Sequence, residues 1–184
     1  LHKTQERQRL IAMTALQIRQ SLNLSQILNR ATEELQRLLQ CDRVVVYQFA
    51  PDRSGTIVAE SVANGWTSAL NIAIQDTFFQ NSSGPLYAEG QALTVPNVDA
   101  AELSACYLEL LKQFEVKAKL AVPILLHANS KTTPQLWGLL IAHQCSAERQ
   151  WQPDEIELFS ELSVQLVIAI QQTDLLVQTQ TALS

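Results

Sequence analysis

Cysteine is scarce in this sequence. The 184 residues hold three, Cys41, Cys106 and Cys145. They are far apart, odd in number and form no CxxC pair, so neither a disulfide framework nor a zinc site is expected. A reducing cytoplasm is the setting that fits. Glycine is sparse too, at five, and no internal repeat or low-complexity tract occurs. No apolar run approaches the ~20 residues that span a bilayer. The opening stretch "LHKTQERQRLIAM" is charged and lacks the long apolar core of a signal peptide. The chain starts at Leu1 rather than methionine, as a piece of a longer protein would. Positive charge is short: 13 Lys and Arg against 18 Asp and Glu give a net charge of −5. That excludes the electrostatic footprint of a nucleic-acid binder and a polybasic membrane patch. The motifs GxxxxGK, GxGxxG, HExxH and GxSxG are all missing.

What is present is a globular composition, 47% hydrophobic and 17% charged, in a chain long enough for one domain with a core. Residues 4–39 read as helical. Leu10, Thr14, Ile18 and Leu22 recur at helical spacing, as do Ile27, Leu28, Ala31, Leu35 and Leu38, with Ser25 as a candidate N-cap between the two runs. "RVVVYQF" and "TIVAESV", joined by "PDRSG", predict a hairpin over 43–62. Residues 63–102 are irregular, apart from a short strand at "QALTV", and a segment of that kind is often a functional loop. A helix around Cys106 follows, ending near Phe114. "VKAKLAVPILL" predicts a strand whose Pro123 points to an edge or a bulge, and "LWGLLIAHQ" a central, buried one. A last helix starts at Pro153, with Asp154 and Glu155 favoured by the helix dipole. It carries Phe159, Leu162, Leu166, Ala169, Thr173 and Leu176 on one stripe, which suits a core face or a coiled-coil seam. Strands flanked by helices at both ends predict an α+β domain, with an antiparallel sheet sandwiched between terminal helices and a loop-rich layer.

Candidate chemistry is sparse. The acidic residues of "ATEEL" and "PDEIEL" read as solvated helix faces. His2 lies at the chain end and His127 opens a polar loop. His143 alone falls on a buried strand, where a hydrogen-bonded core histidine is the simplest reading. No Cys–His–Asp arrangement points to a hydrolase. On the helix at "LSACYLELL", Leu103, Tyr107, Leu111 and Phe114 share one side, and Cys106 and Leu110 the adjacent one. Free cysteine is among the most buried residue types, so Cys106 taken alone reads as a small core filler. The other reading is a thiol placed to bond a ligand.

The blocks "CDRVVVYQF…GTIVAESV", "FEVKAKLAVPIL" and "LWGLLIAHQCS…RQWQPDEIELF" together resemble the GAF domains of the phytochrome superfamily. They are most similar to cyanobacteriochromes of the red/green or far-red type, over about residues 25–172. The resemblance implies a GAF fold whose loop-rich layer holds a linear tetrapyrrole, phycocyanobilin or biliverdin. It implies thioether attachment at Cys106, because that cysteine holds the place of the family's attachment residue. In "IQDTFF", Asp76 matches an aspartate that contacts the pyrrole nitrogens in relatives. A buried carboxylate is a sensible partner for a protonated, cationic bilin. The resemblance places Ile74, Thr77, Phe78, Tyr87, Tyr107, Leu110, Leu111 and His143 along the pigment as well. His143 matches a histidine near the D-ring in phytochromes. Lys119 matches a lysine that some green/red relatives use in a proton switch, but they pair it with glutamate, and here a solvated lysine is expected.

The departures refine this. Tyr107 stands where histidine is usual, Ile74 where tryptophan is, and Leu86 where an arginine pairs with a propionate. Phe78 stands where one subfamily has a second cysteine, which argues against blue or violet absorption. Tyr107 looks like the pattern of relatives that accept biliverdin, so a red to far-red absorbing dark state is expected. The other reading is that Tyr107 stacks over phycocyanobilin. The implied mechanism is C15=C16 isomerisation, with no turnover chemistry beyond self-attachment of the pigment. The signal passes to neighbouring GAF or output domains, a histidine kinase, cyclase or chemotaxis-type module. The terminal helices suit a homodimer. Residues 1–24 are expected to form a connecting helix, 25–172 the pigment domain and 173–184 a signalling extension. The alternatives are a GAF module for another small molecule, or one serving dimerisation alone.

Overall fold

The structure, a computed structural model, describes residues 2–20, 23–52, 54–74, 84–127 and 134–183, with side chains described over 4–13, 23–52, 54–74, 86–127 and 134–173. Two helices open the chain, α1 (His2–Gln20) and α2 (Leu24–Leu39). The N-cap of α2 is Asn23, not Ser25. The Asn23 side chain accepts from the backbone N–H of Ser25 and Gln26, satisfying donors that the first helical turn leaves open. Ile27, Leu28, Ala31, Thr32, Leu35 and Leu39 form its buried face.

The hairpin β1 (Arg43–Phe49) and β2 (Gly55–Val62) follows as expected, and then a two-residue strand β3 (Ala73–Ile74). After a short helix α3 (Gly84–Ala88) come β4 (Leu93–Val95), α4 (Ala105–Gln113), β5 (Ala118–Leu126), β6 (Gln135–Gln144) and α5 (Pro153–Leu183). Among the described residues the strands make one six-stranded sheet in the order β3-β2-β1-β6-β5-β4, every pair antiparallel. β6 is central, as its apolar run suggests. Pro123 is on β5, which is not an edge strand. β4 pairs only with Lys119, Leu120 and Ala121, and the register slips between Ile124 and Leu125. Pro123 therefore sits where the neighbouring strand has ended and beside an irregularity, the places that tolerate a missing N–H.

Side chains alternate across the sheet with period two. Val44, Val46, Leu120, Val122, Leu140 and Ala142 face one layer, where they meet α2 and the Phe159, Leu162, Leu166 and Ala169 stripe of α5. Val45, Tyr47, Ala121, Leu139 and Ile141 face the other, where they meet Tyr107, Leu111 and Phe114 of the α4 segment. Both faces are covered, which is why the β6 sequence reads as nearly continuous apolar rather than alternating. Gly138 is required by close approach: a Cβ there would lie 2.1 Å from the Tyr47 carbonyl oxygen. Among the described residues, no helix is long and apolar enough to cross a membrane.

Candidate functional site

Between the sheet and α4 lies a cavity of about 50 Å³, small beside the ~300–1,000 Å³ usual for a small-molecule site. Its floor comes from the sheet: Val45 and Tyr47 of β1, Ile57 of β2, Lys119 of β5, Ile141 and His143 of β6. α4 supplies Tyr107, Leu110 and Leu111, the turn after it Phe114 and Val116, and the far side Ala69 and Ile74. The walls are mostly apolar, so the few polar groups stand out. Among the described residues they are Tyr107, Lys119, His143 and Tyr47, whose hydroxyl is turned to the Ile74 carbonyl.

α4 is set by its cap. Ser104 precedes it, and its side chain accepts the Tyr107 backbone N–H at 3.3 Å. That places Cys106 in the first turn and Tyr107 next to it, turned inward. Tyr107 is buried and Cys106 is exposed. The core-filler reading of Cys106 is therefore overturned. Cys106 lies one turn before the cavity-lining Leu110, on the same helix face, so its thiol is reachable from solvent beside the cavity. The other two cysteines differ. Burial pushes the Cys41 thiol up to about 12 and the Cys145 thiol to about 11, which leaves both protonated and inert at neutral pH.

Lys119 corrects the sequence expectation. It is 5% exposed, not solvated. Its ammonium donates to the Tyr107 hydroxyl and sits 4.8 Å from the centroid of that ring. A lysine tolerates burial when it is paired in this way. His143 makes a core hydrogen bond and also lines the cavity: its Nδ1 lies 3.2 Å from Nη1 of Arg43. Burial, then the Arg43 and Lys119 charges, hold the imidazole well below its ordinary pKa of 6.5, so it is neutral.

Arg43 escaped the sequence reading, although it is among the largest fully buried side chains. It donates to the carbonyls of Phe114 (2.9 Å) and Thr67 (2.5 Å). Its Nε faces Glu60 Oε2 at 3.5 Å, an ion pair by distance that lies outside hydrogen-bond geometry. Glu60 in turn accepts from Ser68 Oγ and the Ala69 N–H, both at 2.6 Å. One buried pair thus ties the end of α4 and the 67–69 loop to the sheet, and so sets two sides of the cavity.

Of the other residues expected at the pigment, Ile74, Leu110 and Leu111 line the cavity. The Ile74 carbonyl accepts a hydrogen bond from the Tyr47 hydroxyl at 3.2 Å. Tyr87 is buried in the same core layer but is not part of the cavity wall. Asp76, Thr77 and Phe78 lie outside the described residues.

The family model described as "GAF domain" matches residues 23–170. Among curated proteins, the chain is 40% identical over 167 residues to a Synechocystis protein whose name assigns it to the methyl-accepting chemotaxis proteins. That match covers 91% of this chain and 16% of the relative, so the chain spans about a sixth of that protein's length. Among solved structures, it matches the blue-light absorbing form of the Thermosynechococcus elongatus PixJ GAF domain, with 37% identity and a TM-score of 0.77, over 87% of this chain and 92% of that one. A further structure, a far-red absorbing dark state with bound biliverdin IXa, matches with 30% identity and a TM-score of 0.79, over 90% of this chain and 99% of that one. PixJ is described as a cyanobacteriochrome.

Proposed function

The chain belongs to the GAF domain family, and on that premise we propose that it is the light-sensing module of a cyanobacteriochrome, holding a linear tetrapyrrole through Cys106. The observation that carries this reading is the pairing, on one helix, of an exposed thiol with residues that line an apolar cavity. Cys106 is exposed, while Tyr107, Leu110 and Leu111 of the same helix line the mostly apolar cavity. The residues fit such a pigment. Its rings require apolar walls, and its lactam carbonyls and propionates require donors. Among the described residues, Lys119, Tyr107 and His143 are donors in the wall.

Each residue then has a task. Cys106 would hold the pigment as a thioether to its A-ring side chain, with sulfur on one carbon of the former double bond and the thiol proton on its neighbour. Leu110, Leu111 and Ile74 exclude water from the ring system. Tyr107 borders the rings and, held by Lys119, presents a fixed face to them. Asp76 is assigned to the pyrrole nitrogens, with Thr77 and Phe78 beside it and Tyr87 behind the wall. When bound, the tetrapyrrole supplies light-driven isomerisation about C15=C16. The chain itself carries out no turnover chemistry.

We read the dark state as red to far-red absorbing. Tyr107 stands where histidine is usual in the family, and a relative with bound biliverdin absorbs in the far red. The PixJ domain has a blue-light absorbing form, but Phe78 carries no thiol to shorten a pigment's conjugation, so that colour is not carried over. Residues 25–172 are assigned to the pigment domain, 1–24 to a connecting helix and 173–184 to an extension. The terminal helices pass the change to a partner copy and to an output domain outside the chain. The chemotaxis name of one relative suits such an output.

The test is co-expression with phycocyanobilin and, separately, with biliverdin, followed by mass analysis of the tryptic peptides. A bilin on the Cys106 peptide, lost in Cys106→Ala, supports attachment. Colourless protein with both pigments contradicts it and leaves a GAF module for another ligand or for dimerisation.

A further inference from the structure

Three polar side chains stand in one cross-strand row on the cavity face. Arg43 of β1 is in register with His143 of β6, and His143 with Lys119 of β5. Directly opposed residues in a sheet put their side chains side by side. The row therefore sets an imidazole between two buried cations, one 0% and the other 5% exposed.

Arginine has no acceptor and stays protonated. The 3.2 Å contact between its Nη1 and His143 Nδ1 can only be an Arg N–H donating to an unprotonated Nδ1. Nδ1 thus holds a lone pair, and the imidazole's single proton is on Nε2. Among the described residues His143 makes no other side-chain hydrogen bond, and the ring lines the cavity.

We propose that Arg43 is a positioning residue that fixes His143 as the neutral Nε2–H tautomer, so that the cavity floor offers an imidazole donor and never an imidazolium. The groups that set this come from every neighbouring element. Arg43 is on β1. Glu60 of β2 lies on the far side of Arg43, so its charge is directed at the guanidinium and not at the imidazole. Lys119 is on β5 and is engaged by Tyr107 of α4. Cys145, just past β6, is also within reach of Arg43 at 3.5 Å, and its thiol is protonated. No carboxylate among these contacts the ring, so nothing there favours a second proton, and burial with two like charges opposes it. The consequence for a ligand rests on the function proposed above: a group that meets the imidazole at Nε2 meets a hydrogen-bond donor.

The deciding measurement is a long-range ¹H–¹⁵N correlation spectrum of the imidazoles in the pigment-free 184-residue chain. The three histidines are assigned with His143→Gln. The expected result is an Nε2–H pattern for His143 at pH 7, unchanged as the pH is lowered through 6.5. An Nδ1–H pattern or an imidazolium at pH 7 overturns the proposal, whatever any variant does. Arg43→Met is expected to admit the second tautomer and to move protonation back towards pH 6.5, with Arg43→Lys restoring part of the wild-type pattern. A folded Arg43→Met that keeps pure Nε2–H also overturns it. The spectrum needs no pigment, so failure here is distinct from failure of the light-sensing reading.

Discussion

Tyr107 and Lys119 meet at the cavity wall: the lysine ammonium donates to the tyrosine hydroxyl and lies 4.8 Å from the ring centroid. Each residue explains the other. The phenol makes a buried lysine tolerable, and the lysine fixes the ring where a pigment would lie against it. Tyr107→Phe keeps the ring and removes the acceptor. The cost of weakening a buried charged donor's satisfaction is about 1–3 kcal/mol, read as a lower urea midpoint at unchanged slope. Tyr107→His restores the residue usual in the family and is expected to shift loading from biliverdin towards phycocyanobilin, measured as the ratio of bound pigments after parallel co-expression.

The cysteines should separate cleanly by alkylation. Cys106 is exposed, whereas Cys41 and Cys145 are buried, with their thiols raised to about 12 and about 11. Iodoacetamide at pH 8 should therefore modify Cys106 alone in the folded, pigment-free chain. Cys41 and Cys145 should react only after denaturation, as peptide masses will show. Early labelling of either would contradict the packing described.

Glu60 and Arg43 form a buried pair, with side chains 4% and 0% exposed. Removing one partner strands the other's charge, at a cost of about 3–5 kcal/mol. Glu60→Ala is expected to fall in that range in chemical denaturation. It should also speed hydrogen exchange at Ala69, whose N–H now donates to Glu60. Glu60→Gln keeps acceptors for Ser68 and Ala69 and should lose less.

His143 gives a pH dependence of known sign. Its folded pKa is depressed below 6.5 by burial and then by Arg43 and Lys119. Below pH 6.5 the unfolded chain takes up a proton that the folded chain refuses, so stability falls as the pH falls. Above pH 6.5 the contribution is fully present. Urea midpoints between pH 7.5 and 5.5 should decline more steeply for the wild type than for His143→Gln. Parallel slopes would contradict the assignment.

Much of the fold was legible because local rules and tertiary structure agree. The β1–β2 hairpin, the central β6 and the Phe159–Leu162–Leu166 stripe of α5 all follow from residue spacing. The polar floor of the cavity was not legible, since it depends on register. Arg43 opens a strand and looks like a strand-end charge, and Lys119 looks like any surface lysine. Only the pairing of β1, β6 and β5 brings them on either side of His143. The α2 cap was missed by two residues because both Asn23 and Ser25 have the chemistry to cap. Cys106 ran against the burial preference of its residue type, and in that sequence context only the family resemblance gave it a role.

The most direct test of the account is the light-minus-dark difference spectrum of the bilin-loaded chain. The prediction is a dark state absorbing in the red to far red, a shifted band after illumination with that light, and full reversal on illuminating the shifted band. Bound pigment with no reversible difference signal would contradict a photoreceptor and leave a pigment-binding GAF domain without photochemistry.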